Sequence, residues 1–163
     1  MLEGIFKILS DAIYFNLIRE DRYLLFVNGF KVSIQLTVFA ALIGIAIGLP
    51  MAVAKLTNNK ILNKIATVYT DVIRGTPAVV QLIIIYYAIL GSSHLPKLLV
   101  ASIAFGINSG AYVTELVRAG ILAVDKGQME AARSLGLSYY QSMRYVIVPQ
   151  AIKNILPALV SEF

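Results

Sequence analysis

The sequence predicts an all-α membrane protein: a multi-pass helical bundle with three full spans, the start of a fourth, and one short helix held out on the cytoplasmic side. Three observations predict it. Hydrophobic residues make up 58% of the 163 positions and charged residues 14%, with a mean hydropathy of +0.77, outside the range of a soluble domain. Residues 34–54 carry no charge over 21 positions, enough to cross ~30 Å of hydrocarbon at ~1.5 Å per residue. The net charge of +5 is placed between apolar stretches: seven of the fourteen Lys and Arg residues lie in 55–64 and 125–153. Charge placed that way orients a chain in a lipid membrane and argues against a nucleic-acid partner.

The elements follow in order. Residues 1–28 form a separate N-terminal segment, in which Ile5, Phe6, Leu9 and Ile13 recur at helical spacing among charges. That pattern predicts an amphipathic helix lying at the membrane interface, with a loosely packed flexible leader as the alternative. No basic start followed by an unbroken apolar centre and a small-residue cleavage site marks a signal peptide. The membrane domain is expected over 29–163. Its first span is 29–54, with Gly44 and Gly48 as a small-xxx-small pair open to a close helix neighbour. Lys55, Lys60 and Lys64, with Asn58 and Asn59, then read as a basic cytoplasmic loop.

The second span, 65–90, is interrupted by Asp71, Arg74 and Gly75-Thr76-Pro77. Thr76 as N-cap and Pro77 as first helical residue predict a fresh start, hence two pieces, 65–74 and 77–90. A broken helix at membrane depth is tolerated where protein or a watery cavity surrounds it. The new N-terminus could face a carboxylate. Asp71 and Arg74, one turn apart, could instead neutralise each other. A short external turn follows at 91–97, holding His94, the single histidine. With no cysteine and one histidine, neither a metal site nor a catalytic triad is expected.

The third span, 98–124, places Asn108, Tyr112 and Glu115 at i, i+4 and i+7 on one face, with Arg118 at its flank and a second glycine pair at Gly106 and Gly110. A carboxylate or guanidinium at bilayer depth must face protein. Glu115 and Arg118 can bridge each other at i, i+3, or line a polar path for a zwitterionic solute.

Residues 125–150 are the long hydrophilic run between two apolar regions. Met129, Ala132 and Leu135 predict a two-turn helix over 128–135, ended by Gly136 in the left-handed conformation. Ser138, with Gln141 three residues on, predicts a capping box opening a second helix, and Pro149 should disrupt that helix or force a turn near its end. Ala131 and Ala132 side by side offer a small face on which a partner could dock. Apolar residues resume over 151–163, too few to span. With the loops at 55–64 and 125–150 inside, the first span enters from outside, the second returns and the third re-enters.

Several of these residues also carry a family resemblance. Glu130-Ala131-Ala132, Gly136 and Val146-Ile147-Val148-Pro149 resemble the EAA loop of ABC importer permeases, with valine at both apolar positions of its closing I-x-L-P. Arg74-Gly75-Thr76-Pro77, Gln81-Leu82, Ala111-Tyr112-Val113-Thr114-Glu115 and Arg118-Ala119-Gly120-Ile121 look like the polar amino acid subfamily. The resemblance covers 29–163 and implies a type I importer permease in a prokaryotic inner membrane. It further implies a second permease chain (a copy or a paralogue), two cytoplasmic ATPase subunits that bind ATP and Mg, and an external solute-binding protein. No phosphate-loop motif places ATP hydrolysis in this chain, which is expected to be a transport subunit without cofactor. On this resemblance Gln128, Glu130, Ala131, Ala132, Leu135 and Gly136 form the coupling helix seated in the ATPase. The substrate site would lie near Arg74, Thr76, Asn108, Tyr112, Glu115 and Arg118, with Glu115 leaning toward a basic amino acid. Permeases of this family usually have five core helices, so further chain is expected after residue 163. A passive channel or small secondary transporter for polar solutes is the alternative that the intramembrane charges would also suit.

Overall fold

The computed structural model describes residues 2–162 and is helical throughout. The side chains of Leu9 and Ile13, invoked for the interfacial helix, and residue Phe163 lie outside what is described. The chain divides into two compact units, Met1–Leu36 and Thr37–Phe163. In the first, α1 (Leu2–Ile13) leads through a π-turn (Tyr14–Ile18) and a 3-10 turn (Arg19–Asp21) to the start of α2 (Tyr23–Leu56). Glu20 and Asp21 take positive φ there, and Glu20 bridges Arg19 at 3.5 Å and Arg22 at 3.6 Å.

In the second unit, α2 is longer than the expected 29–54 and carries Lys55 in its last turn, inside the helix rather than in the loop. α3 (Lys60–Arg74) follows, capped by Asn59, whose Oδ1 accepts from Ile61 and Leu62 N–H groups. After the break come α4 (Ala78–Ile83) and a π-turn (Ile84–Ile89), bent 104° from α3. α5 (Lys97–Leu122) is the central helix. α2 and α5 are each long and apolar enough to cross a membrane, and α3 with the α4 segment makes a third span if the bent pair counts as one. α6 (Lys126–Ser134), α7 (Tyr139–Ser142), a π-turn (Met143–Ile147) and α8 (Val148–Glu162) complete the unit.

Small residues decide how these helices meet. A Cβ on Gly48 would lie 2.6 Å from Val113 Cγ1 and 2.9 Å from the Gly110 carbonyl; one on Gly106 would lie 2.6 Å from Ile43 Cβ. The two glycine pairs expected to admit neighbours therefore admit each other, and α2 crosses α5 at backbone distance. Thr114 closes the crossing by donating to Gly110 O at 2.7 Å and reaching Gly48 O at 3.3 Å. Gly110 also leaves room for Tyr69, whose hydroxyl donates to Ile107 O at 2.7 Å and ties α3 to α5.

The break at 75–77 forms, with different capping from that expected. Pro77 is the N-cap of α4, and Thr76 belongs to the end of α3: its hydroxyl donates to Val72 O at 3.0 Å. A threonine hydroxyl one turn after a free C-terminal carbonyl finds that acceptor before any N–H downstream. Of the two outcomes expected at Pro149, a local turn is found and the helix is not disrupted. Directly before it the backbone takes a π-turn, with Val148 N–H bonded to Met143 O, and α8 runs on through Pro149. The local widening removes the conflict between the proline ring and the preceding turn.

Candidate functional site: a polar ladder on α5 and the capped helix below it

Three side chains on one face of α5, Asn108, Tyr112 and Glu115, meet partners from α4, α3 and α2. At the outermost rung Asn108 Nδ2 donates to Gln81 Oε1 at 3.0 Å. Gln81 is buried and anchored at the break, its Nε2 donating to Ile73 O at 2.6 Å and to Thr76 Oγ1 at 2.7 Å. One turn along, Arg74 lies over Tyr112, its guanidinium carbon 5.3 Å from the ring centroid. The expected Asp71–Arg74 ion pair is not found among the described residues, and Arg74 has no carboxylate partner there.

The innermost rung is a charge cluster. Arg118 bridges Glu115 Oε2 with Nε at 3.0 Å and Nη2 at 2.8 Å, as the i, i+3 spacing allowed. Lys55, reaching over from α2, binds Glu115 Oε1 and donates to Thr70 Oγ1 of α3 at 2.7 Å. Lys55 and Glu115 are only 13% and 15% exposed, so each depends on the other in a poorly solvated place. Asn63 Nδ2 donates to Lys55 O at 2.6 Å and holds the end of α2 against α3. Two cations facing one carboxylate leave the rung with one net positive charge. Successive rungs at 108, 112 and 115 span ~10 Å at ~1.5 Å per residue.

The ladder gathers Arg74, Thr76, Asn108, Tyr112, Glu115 and Arg118 around one face. It adds Lys55, Thr70 and Gln81, which the sequence reading did not assign to the site. Lys55 did carry a signal: it directly ends the uncharged run, while Lys60 and Lys64 are set apart from it by polar residues. A cleft of ~550 Å³ between α2, α5 and α8 is apolar and lined by none of the ladder residues.

Beyond the inner rung, α5 leads into α6. Asp125 caps that helix by accepting from Gly127 N–H at 2.7 Å, which starts it two residues before the expected 128. Gly136 ends it with φ +86, and Ser138 and Gln141 form the capping box of α7. Gln128, Glu130, Ala131 and Gly136 are exposed, and Leu135 is 84% exposed. Ala132 is placed inward, away from any docking face: it is buried, as Met129 partly is against the small core of Val124, Ile147 and Ala151. The neighbouring alanines thus divide, one out and one in, because adjacent residues on a helix point ~100° apart. Gln150 Nε2 donates to Gln128 Oε1 at 3.2 Å, linking α6 to α8.

Residues 44–163 match the family described as binding-protein-dependent transport system inner membrane component. The chain belongs to this family. Among its relatives, the putative glutamine transport system permease protein GlnP of Rickettsia felis is 44% identical over 144 residues, covering 86% of this chain and 66% of that protein. The arginine transport system permease protein ArtQ of Bacillus subtilis is 41% identical over 137 residues, covering 83% and 63%. A chain in the crystal structure of an amino acid ABC transporter with histidines superposes with a TM-score of 0.73 at 46% identity, covering 85% of this chain and 69% of that one. The chain spans about two thirds of the length of the curated relatives it matches.

Proposed function

We propose that the chain is the membrane-spanning permease subunit of an ATP-driven amino acid importer, placed in a bacterial inner membrane. Family membership and the glutamine and arginine permeases among the relatives support this reading. In it, the ladder on α5 supplies the translocation path, and the outward face of α6 docks a cytoplasmic ATPase that holds ATP and Mg. A second permease chain and an external solute-binding protein complete the assembly.

One observation carries the proposal: a short, doubly capped helix with an exposed Glu130, Ala131 and Leu135 is rooted, through Met129, in the core that joins α5 to α8. A helix so built transmits displacement. Its inner side is packed and moves with the membrane helices, while its outer side is free for a partner. ATPase closure would shift α6, and with it the inner end of α5, where the three-helix charge cluster sits. Co-purification of the full-length permease with its ATPase tests the docking half, with deletion of residues 128–136 expected to abolish it. Amino-acid-stimulated ATP hydrolysis by the reconstituted complex, screened over the common amino acids, tests the transport half. Retained co-purification after the deletion would remove the coupling role, and transport without any ATPase would favour a passive channel.

A further inference from the structure

Glu115 is the one carboxylate among the ladder residues, yet it is not available to a substrate. Both of its oxygens are taken, Oε1 by Lys55 and Oε2 by the Arg118 fork. The inner rung is therefore net positive, and Arg74 adds a second positive charge one turn away, paired only with an aromatic face. A cationic side chain entering here meets two surplus positive charges and no free carboxylate among the ladder residues. The outer rung has the opposite character. It is neutral, and Asn108 spends one amide N–H on Gln81 while its carbonyl oxygen and second N–H have no protein partner. An open N–H beside an open C=O complements a primary carboxamide.

We propose that Lys55 is an internal counter-cation that determines specificity. By occupying Glu115 it takes the place a basic side chain would fill, leaving a path suited to zwitterions with a neutral carboxamide side chain. The substrate α-carboxylate is received by Arg74 and the carboxamide by Asn108. This rests on the amino acid importer reading above, and it reverses the lean toward a basic substrate that Glu115 suggested in the sequence. Thr70 positions Lys55 from the far side by accepting its third-helix contact, and keeps a separate bond to Thr67 O at 3.0 Å, so Lys55 can be replaced without orphaning it.

The test uses the full-length permease assembled with its ATPase in lipid nanodiscs, with the binding protein left out so that its own selectivity plays no part. Equilibrium binding of radiolabelled glutamine and arginine is measured on wild type, Lys55→Arg and Lys55→Met. Wild type and Lys55→Arg are expected to prefer glutamine by at least about tenfold, the scale of one unpaired like charge in a partly screened site. Lys55→Met is expected to move the glutamine-to-arginine ratio by about tenfold toward arginine. Equal or tighter arginine binding by wild type overturns the proposal while leaving the importer reading standing, and so does an unchanged ratio in Lys55→Met. If Lys55→Met does not assemble, the wild-type ratio still decides. Binding of neither amino acid by wild type removes the path reading itself, and this proposal with it.

Discussion

Replacing Gly48 by alanine probes the crossing on which the whole site depends. A methyl group there would lie 2.6 Å from Val113 Cγ1, 2.7 Å from Val113 Cβ and 2.9 Å from the Gly110 carbonyl. Val113 is buried and the carbonyl is helix backbone, so no flexible side-chain end can swing aside. Overpacking of this kind costs ~1–3 kcal/mol, while alanine returns ~0.5–1 kcal/mol in helix propensity. The expected net loss is about 1 kcal/mol, within bounds of ~0–2.5 kcal/mol, and amounts to roughly a fivefold shift toward the unfolded or unpacked state. Gly29 provides the control: it lies in the same helix with nothing within 4 Å of a Cβ, so Gly29→Ala should be neutral or slightly stabilising. Both variants of the full-length protein would be compared by thermal unfolding in detergent. If Gly48→Ala gains stability to the same extent as Gly29→Ala, α2 does not cross α5 at this glycine, and the placement of Lys55 against Glu115 loses its support.

Three further predictions concern the cluster and the coupling helix. Glu115→Gln leaves Lys55 and Arg118 without their shared anion and should cost about 3 kcal/mol in detergent unfolding; adding Lys55→Met should recover part of that loss, and a simple sum of the two losses would count against the cluster. Gly136 has φ +86 and open space around it, so Gly136→Val meets backbone strain of ~1–2 kcal/mol without any steric clash. Transport per ATP hydrolysed should fall in the valine variant and be retained in Gly136→Asn, which tolerates the left-handed region; equal coupling in both would show that the hinge conformation does not matter. Asp125→Ala removes the cap of α6 and should cost ~1 kcal/mol, read as roughly fivefold faster hydrogen exchange at the first amides of that helix, whereas Asp125→Asn should keep protection.

The boundaries of the polar loop were readable because their causes are local. Gly136 is followed closely by Ser138, and Gln141 comes three residues after that; the left-handed turn and the capping box need nothing from the rest of the chain. The break at 75–77 was readable for the same reason, since proline and glycine act on their own neighbours. The face of α5 carrying Asn108, Tyr112 and Glu115 followed from helical periodicity. Their partners did not, because Lys55 and Glu115 are 60 residues apart and Gln81 and Asn108 are 27 apart. The same limit applies to Pro149, which is absorbed by a π-turn, and to Ala132, whose inward placement depends on where α6 lands on the core.

From its own residues this chain determined an all-helical membrane fold, a broken second span and a short capped helix after the third. Each follows from burying apolar length in lipid or from the steric needs of glycine and proline within a turn. Only the tertiary structure decided which charges meet. That choice was made by glycines 44, 48, 106 and 110, which bring α2 and α5 to backbone contact. Helices so close and so angled deliver Lys55 to Glu115, and a charge at that depth pairs with whatever the crossing angle brings within reach.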